Sequence, residues 1–429
     1  MSSSRSIGPA TAIRGRLVIP GDKSISHRAL LLAAVSDGAS TIRGRAAGED
    51  QDSMVRCLGA LGVAIETEGD RTLLTGVGLR GLGSPAGELD CGNSGATMRF
   101  LTGILAGIEG VEAVLTGDAS LSSRPMARVA DPLRRMGAEI GTSPAGLPPV
   151  VVSGRHLHGA DHHLAIGSAQ VKTAILLAGL NAEGQTYIIG RDTGRDHTER
   201  MLRQLGVDIE SADAIRLRPP DSIPAFQLTV PGDPSSAAFW IVLGAVHPDA
   251  EVSVTGVCVN PTRTGFLEVL RRMGAQIRLS EEAASRGEPT ATVTAVSSNL
   301  HATDIDPTEV PGLLDEIPIL SVAAACAEGT SRFVGLSELR LKEVDRVDAV
   351  SAELSRMGAE IDVVGDDLVI TGGRGLRGSM LNSRGDHRLA MSLAIAATVA
   401  HGPSELAGAG AAAVSYPDFF DTLSGLAAR

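Results

Sequence analysis

The sequence predicts an α/β protein of two pseudo-equivalent halves, each made of three β/α units. Repetition at two scales carries this, together with composition. At the smaller scale one phrase recurs: Leu133-Arg-Arg-Met-Gly-Ala-Glu-Ile140, Leu270-Arg-Arg-Met-Gly-Ala-Gln-Ile277 and Leu354-Ser-Arg-Met-Gly-Ala-Glu-Ile361. Weaker copies lie at Leu58–Ile65 and Leu202–Ile209, and a truncated echo at Phe420–Leu426. Their glycines, Gly62, Gly137, Gly206, Gly274 and Gly358, are 75, 69, 68 and 84 residues apart. Each copy reads as an amphipathic helix that ends on a left-handed Gly, after which a β-branched residue opens a strand. Such a long period exceeds a solenoid unit and describes a whole α/β subunit. At the larger scale, Ile19-Pro-Gly-Asp22 with the helix start after it matches Val230-Pro-Gly-Asp233, 211 residues on. Pro and Gly punctuate elements, so these segments mark the crossings between halves. The predicted division is 21–230 for the first lobe and 1–20 plus 231–429 for the second.

Composition agrees and narrows the partners. Hydrophobic residues make up 43% of the 429, with 51 Gly and only 2% aromatics, so the core is close-packed aliphatic. The formal charge of −12 excludes a general nucleic-acid binder, and the lack of aromatic platforms excludes base stacking. No apolar run is long enough for a membrane span, and the first residues carry no secretory pattern. Cys57, Cys91, Cys258 and Cys326 stand far apart, which predicts neither a disulfide framework nor a zinc site and suits a reducing cytoplasm.

Taken in order, the elements start with the same chemistry. Arg16–Pro20 reads as a strand, and Asp22-Lys23-Ser24-Ile-Ser-His27-Arg28 as a helix start capped by Asp22 or Ser24, with Ser24 and Arg28 on one face. Gly92-Asn93-Ser94-Gly95 opens a helix with small residues that let backbone approach a ligand. Gly76-Val-Gly-Leu-Arg-Gly81 fits a dinucleotide fingerprint, but no helix follows it and it reads as a hairpin corner. Arg124 sits on a loop before a helix, and Ser168-Ala169-Gln170 is an uncapped polar trio opening an apolar helix that contains Lys172. Arg195-Asp196-His197-Thr198-Glu199 opens another. His156, His158, His162 and His163 crowd a segment whose Gly, Ala and Asp predict a hairpin with exposed histidines rather than a metal site. Asp315-Glu316 precedes an apolar helix, Lys342 and Arg346 are read as one helix face with Glu343 between them, and Arg388 lies in the first turn after Asp386. Leu389–Ala400 reads as a buried helix. Seven cation-bearing helix starts in a net-acidic chain predict a pocket for strongly anionic ligands.

These motifs, in this order and with Arg124-Pro-Met126 and Ser415-Tyr-Pro-Asp418, resemble the enolpyruvyl transferase family over almost the whole chain. The resemblance implies two lobes of three β/α repeats each, an inside-out α/β barrel-like fold that closes over substrate. It implies transfer of the enolpyruvyl group of phosphoenolpyruvate to the 5-hydroxyl of shikimate 3-phosphate, releasing phosphate, on the route to chorismate and aromatic amino acids. No metal or organic cofactor is implied, and the enzyme is implied to be a cytoplasmic monomer.

Lys23, Ser24, Arg28, Ser168, Ala169, Gln170, Arg195, Asp315 and Lys342 are implied to hold shikimate 3-phosphate. Lys23, Gly95, Arg124, Gln170, Arg346 and Arg388 are implied to hold phosphoenolpyruvate. Asp315 is implied to take the hydroxyl proton, with Glu343 or Lys23 managing the methylene proton. Glyphosate is implied to compete at Gly95, where insensitive members carry Ala. Arg forks and helix N-termini suit ligands that each carry a phosphate and a carboxylate. Two positions depart from many members: Val414 stands where they have Lys, and Glu338 where they have Asn. The relatives that act on UDP-N-acetylglucosamine differ at the first helix and carry a loop Cys where this chain has Ser120 to Arg124. The alternative outside enzymes is a non-catalytic anion-binding repeat protein.

Overall fold

The computed structural model describes residues 4–164, 168–190 and 194–428. The chain divides into two compact units, one of residues 21–230 with 285–288, the other of 1–20, 231–284 and 289–429.

In the first unit the helices are α1 (Lys23–Ala34), α2 (Glu49–Ala60), α3 (Gly95–Ala106), the single turn α4 (Ala119–Ser122), α5 (Ala127–Arg135), α6 (Ala169–Gly179) and α7 (His197–Gln204). Three four-stranded sheets share one order. In the first, Asp37–Arg43 lies between Gln227–Thr229, parallel to it, and Arg71–Val77, antiparallel, with Ala64–Glu68 antiparallel beyond. Glu112–Thr116 and Thr186–Ile189 hold the same place in the other two, with Leu89–Asp90 and Asp161–His163 as their parallel neighbours.

The second unit has α8 (Pro234–Val246), α9 (Gly265–Arg272), α10 (Ile317–Cys326), α11 (Arg346–Arg356), α12 (His387–Val399) and α13 (Phe419–Leu426). Thr330–Phe333 repeats the sheet pattern, with Asp304–Ile305 parallel beside it. Ala12–Val18 runs parallel to Ala250–Cys258 and so completes the first sheet of this unit. In the sixth repeat Arg5–Ile7 pairs antiparallel with Ser404–Ala407, filling the place that a local hairpin fills elsewhere.

The helices alternate in character along the chain. α1, α3 and α6, and likewise α8, α10 and α12, are buried over almost every residue; α3 packs on α6, α1 reaches both through His27 and Arg28, and α8, α10 and α12 pack on one another. Their small aliphatic residues, with few aromatics, allow that close packing. By contrast α2, α5, α7, α9 and α11 bury one face; in α9 that face is Phe266, Leu267, Val269 and Leu270. Each of these five ends as the repeated phrase requires. Gly62, Gly137, Gly206, Gly274 and Gly358 have φ of 98°, 97°, 84°, 94° and 90°, a conformation Gly reaches without steric cost.

Three local readings are corrected. Residues 156–163 form no hairpin: Leu157–His158 and Asp161–His163 each pair parallel with other strands, Ala182–Glu183 and Thr186–Ile189. The middle residue of Asp161–His163 points inward, so His162 is buried while its neighbours are exposed. Lys342 and Arg346 share no helix, because Lys342 closes a 3₁₀ turn (Ser337–Leu341) and α11 begins only at Arg346. Ser168 is a cap after all, its hydroxyl facing the Val171 N–H at 3.5 Å.

Candidate active site

In the first unit the site residues gather at helix starts. Asp22 caps α1 by accepting from the Ile25 N–H at 2.8 Å, which leaves Lys23 as the first helical residue. The Lys23 ammonium pairs with Asp50 on α2. Arg28, one turn further, is buried and fully directed. Its Nε and Nη2 donate to the hydroxyls of Thr198 and Thr173, both at 2.7 Å, and its Nη1 to the Ser24 carbonyl at 2.9 Å. Burial pushes the Arg28 guanidinium down to about 10, and Glu199 is the chief charge opposing that shift. Behind it lies an ion pair, Lys172 Nζ to Glu199 at 2.5 Å, with exposures of 0% and 2%. Arg195 donates to the Ser24 hydroxyl at 3.2 Å.

A second group surrounds the start of α3. Ser94 caps that helix, Gly95 is its first residue, and Arg99 donates to the Gln170 carbonyl oxygen at 2.6 Å. Arg124 donates to Asn93 at 2.8 Å and Ser120 at 3.1 Å. Ser168, Ala169 and Gln170 stand at the start of α6. His27 links the two groups, its Nδ1 facing the Lys23 carbonyl at 2.8 Å and its Nε2 the Ser94 hydroxyl at 3.1 Å.

Burial pushes the His27 imidazole down from 6.5 to about 4, against the pull of Asp50. Below pH 6.5 the unfolded chain takes up a proton that the folded chain refuses until about pH 4. Stability is therefore fully present above 6.5 and falls as the pH drops through this window, by up to about 3 kcal/mol from this residue. Urea unfolding midpoints across the window measure it, and the fall should be smaller in His27→Gln. Parallel profiles for the two proteins would remove His27 as the cause.

In the second unit the counterpart is a knot of charge around Arg346, which is 2% exposed. Its Nε donates to Asp386 at 2.8 Å and its Nη2 to Glu343 at 2.7 Å, while Nη1 lies 3.5 Å from Asp315. Burial lowers this guanidinium's pKa, and Asp386, Glu343 and Asp315 together more than reverse the shift. Asp386 also caps α12, accepting from the N–H groups of Arg388 and Leu389. Arg388 Nη2 reaches Asp315 at 3.9 Å. Lys342 sits at the bend just before Glu343.

The carboxylate pair ahead of α10 is divided by this arrangement. Glu316 is buried and accepts from the Ser235 hydroxyl, beside Arg263 and Asp233, the cap of α8. Asp315 keeps 21% side-chain exposure and faces two guanidinium groups. Of the two, only Asp315 has the access that proton transfer needs.

Lys23, Ser24, Arg28, Gly95, Arg124, Ser168, Ala169, Gln170 and Arg195 lie in one compact unit, and Asp315, Lys342, Glu343, Arg346 and Arg388 in the other. Sequence reasoning missed the carboxylates that hold these cations, Asp50, Glu199 and Asp386. At α7 and α12 the faint signal was an acidic residue close to a basic one at the helix start; at α2, which begins Glu49-Asp50-Gln51-Asp52, there was none.

Comparison with known proteins agrees over the full length. A family model described as EPSP synthase (3-phosphoshikimate 1-carboxyvinyltransferase) matches residues 7–423. A 3-phosphoshikimate 1-carboxyvinyltransferase of Roseiflexus sp. (strain RS-1) is 50% identical over 429 residues, covering 99% of each chain. Its namesake in Chloroflexus aurantiacus (strain ATCC 29366 / DSM 635 / J-10-fl) is 50% identical over 419 residues, 96% of each. The solved EPSP synthase of Acinetobacter baumannii superposes with a TM-score of 0.90 at 39% identity, covering 100% of this chain and 98% of that one. With the six-repeat α/β fold and the two charged clusters in place, the chain belongs to the EPSP synthase family.

Proposed function

We propose that the reaction of this family, enolpyruvyl transfer from phosphoenolpyruvate to the 5-hydroxyl of shikimate 3-phosphate, is performed here by the charged groups just described. The observation that carries the reading is Asp315, a partly exposed carboxylate with one oxygen toward Arg346 and the other toward Arg388. Lys23, Ser24, Arg28, Ser168, Ala169, Gln170, Arg195, Asp315 and Lys342 hold shikimate 3-phosphate. Lys23, Gly95, Arg124, Gln170, Arg346 and Arg388 hold phosphoenolpyruvate.

The chemistry follows from the donor. The C2 carbon of an enol phosphate becomes electrophilic once C3 gains a proton, and Glu343 or Lys23 supplies it. The 5-hydroxyl oxygen then bonds to C2 as Asp315 accepts its proton. Loss of a C3 proton and cleavage of the C2–O bond to phosphate restore the double bond, now on the acceptor. The carboxylates around Arg346 offset positive charge as it develops at C2. Phosphate release, measured with both substrates and with each omitted, tests this. Release that does not depend on shikimate 3-phosphate would refute it. In the proposed reading the chain is a cytoplasmic monomer, and its charge of −12 supports the part of it that excludes nucleic-acid partners. Among the described residues no helix is long and apolar enough to cross a membrane.

Gly95 supplies a prediction on the donor side. A Cβ there would overlap Arg99 Nη1 and fall 3.7 Å from Arg124 Nη1, so Ala forces the Arg99 fork away from Gln170. The unaltered enzyme is expected to be inhibited by glyphosate. Gly95→Ala is expected to weaken glyphosate more than phosphoenolpyruvate, because glyphosate is the longer ligand. Inhibition constants and the phosphoenolpyruvate KM on both proteins decide it; equal shifts, or none, would sink the steric account.

A further inference from the structure

We propose that His156, His158 and Glu183 form a surface site for one divalent transition-metal ion of the Zn²⁺ kind. The sequence reading put no metal at these histidines, since it saw a hairpin with solvated imidazoles. Parallel pairing changes that. His158 stands directly across from Glu183, and His156, two residues earlier on an extended chain, points to the same side. The donor atoms of all three lie within 4.8 Å of one another.

The spacing suits a small ion. One oxygen, Glu183 Oε2, lies 3.1 Å from His156 Nε2 and 3.7 Å from His158 Nδ1. Metal–ligand bonds of about 2.0–2.1 Å set tetrahedral neighbours roughly 3.3 Å apart, so an ion fits between these atoms with little movement. Two imidazoles and a carboxylate, with water in the fourth place, are donors that a borderline ion accepts.

A separate observation concerns the outer partner. Glu109 lies 3.4 Å from His156 Nδ1, the ring nitrogen turned away from Glu183. A carboxylate there accepts the Nδ1 proton and leaves the Nε2 lone pair aimed at the cluster, the arrangement metal-bound histidines commonly have. The backbone is also fixed. The N–H of His158 donates to Met136 O and that of Gly159 to Glu183 O, both at 2.8 Å, while Leu157 and Ala182 anchor the strands on their buried side. None of these residues belongs to the anion-binding groups above, so the site can be tested apart from the enzymatic reaction.

The test is calorimetric titration of the untagged full-length protein with Zn²⁺ alone, alongside His158→Ala, Glu183→Gln and Glu109→Gln. All four residues are exposed, so these variants should fold, and circular dichroism verifies that. One equivalent should bind to the wild type and raise its thermal midpoint. His158→Ala and Glu183→Gln should lose that equivalent, and Glu109→Gln should weaken it by about tenfold or more. Absence of saturable binding to the wild type, or undiminished binding to folded His158→Ala and Glu183→Gln, would overturn the proposal.

Discussion

Asp315→Ala is expected to lose at least about 10²-fold in turnover while its affinity for shikimate 3-phosphate stays within about tenfold. The split follows from the geometry. Arg28, Arg195 and Ser24, which hold the acceptor in the proposed reading, are tied to one another and to Thr173 and Thr198. Asp315 instead meets Arg346 and Arg388, which fix where its two oxygens point. Truncation removes the proton acceptor and leaves Arg346 with Asp386 and Glu343, so the buried cation stays paired. Calorimetry for the acceptor and phosphate release for turnover measure the two quantities on one preparation. Turnover near wild type would reduce Asp315 to a residue that merely precedes α10.

Glu199→Gln is expected to raise the KM for shikimate 3-phosphate by about tenfold or more, with a smaller change for phosphoenolpyruvate. It should also cost about 3 kcal/mol of stability, the order found when one partner of a buried pair is removed. Burial lowers the pKa of Lys172, and Glu199 is the largest opposing influence. The same carboxylate leads the charges that sustain Arg28. Without it two buried cations lose their common counter-charge, and Thr198, next to Glu199 in sequence, no longer holds Arg28 as firmly. Glu199 acts through Arg28, so it is a positioning residue. Equal shifts in both KM values, or a lower thermal midpoint with unchanged kinetics, would leave it only a structural part.

What was legible in the sequence was local. Gly62 and its four equivalents ended helices because a left-handed residue after an amphipathic run has one common use, and nothing distant had to be known. The cap of α1, read as Asp22 or Ser24, was legible for the same reason, and the structure has Asp22 there. Pairings between separate elements were not. Lys23 finds Asp50, Lys172 finds Glu199 and Arg346 finds Asp386 only once helices from different segments have packed. Spacing misled where the chain bent between two elements, as between Lys342 and Arg346. Asp315 and Glu316 looked equivalent because exposure, which separates them, is a property of packing.

The strand Arg5–Ile7, described above as the borrowed member of the sixth repeat, sets a timetable for synthesis. Ile7 pairs with Ser404, and Ile13 with Ala250, so these early residues leave the ribosome hundreds of residues before their partners. Every sheet of residues 21–230, by contrast, is closed by strands from within that stretch. While the later half is being made, an apolar edge around Ile7 and Ile13 has nothing to pair with, and both side chains are buried in the finished protein. A nascent chain of this order is a natural client for a holdase until the residues near 404 emerge.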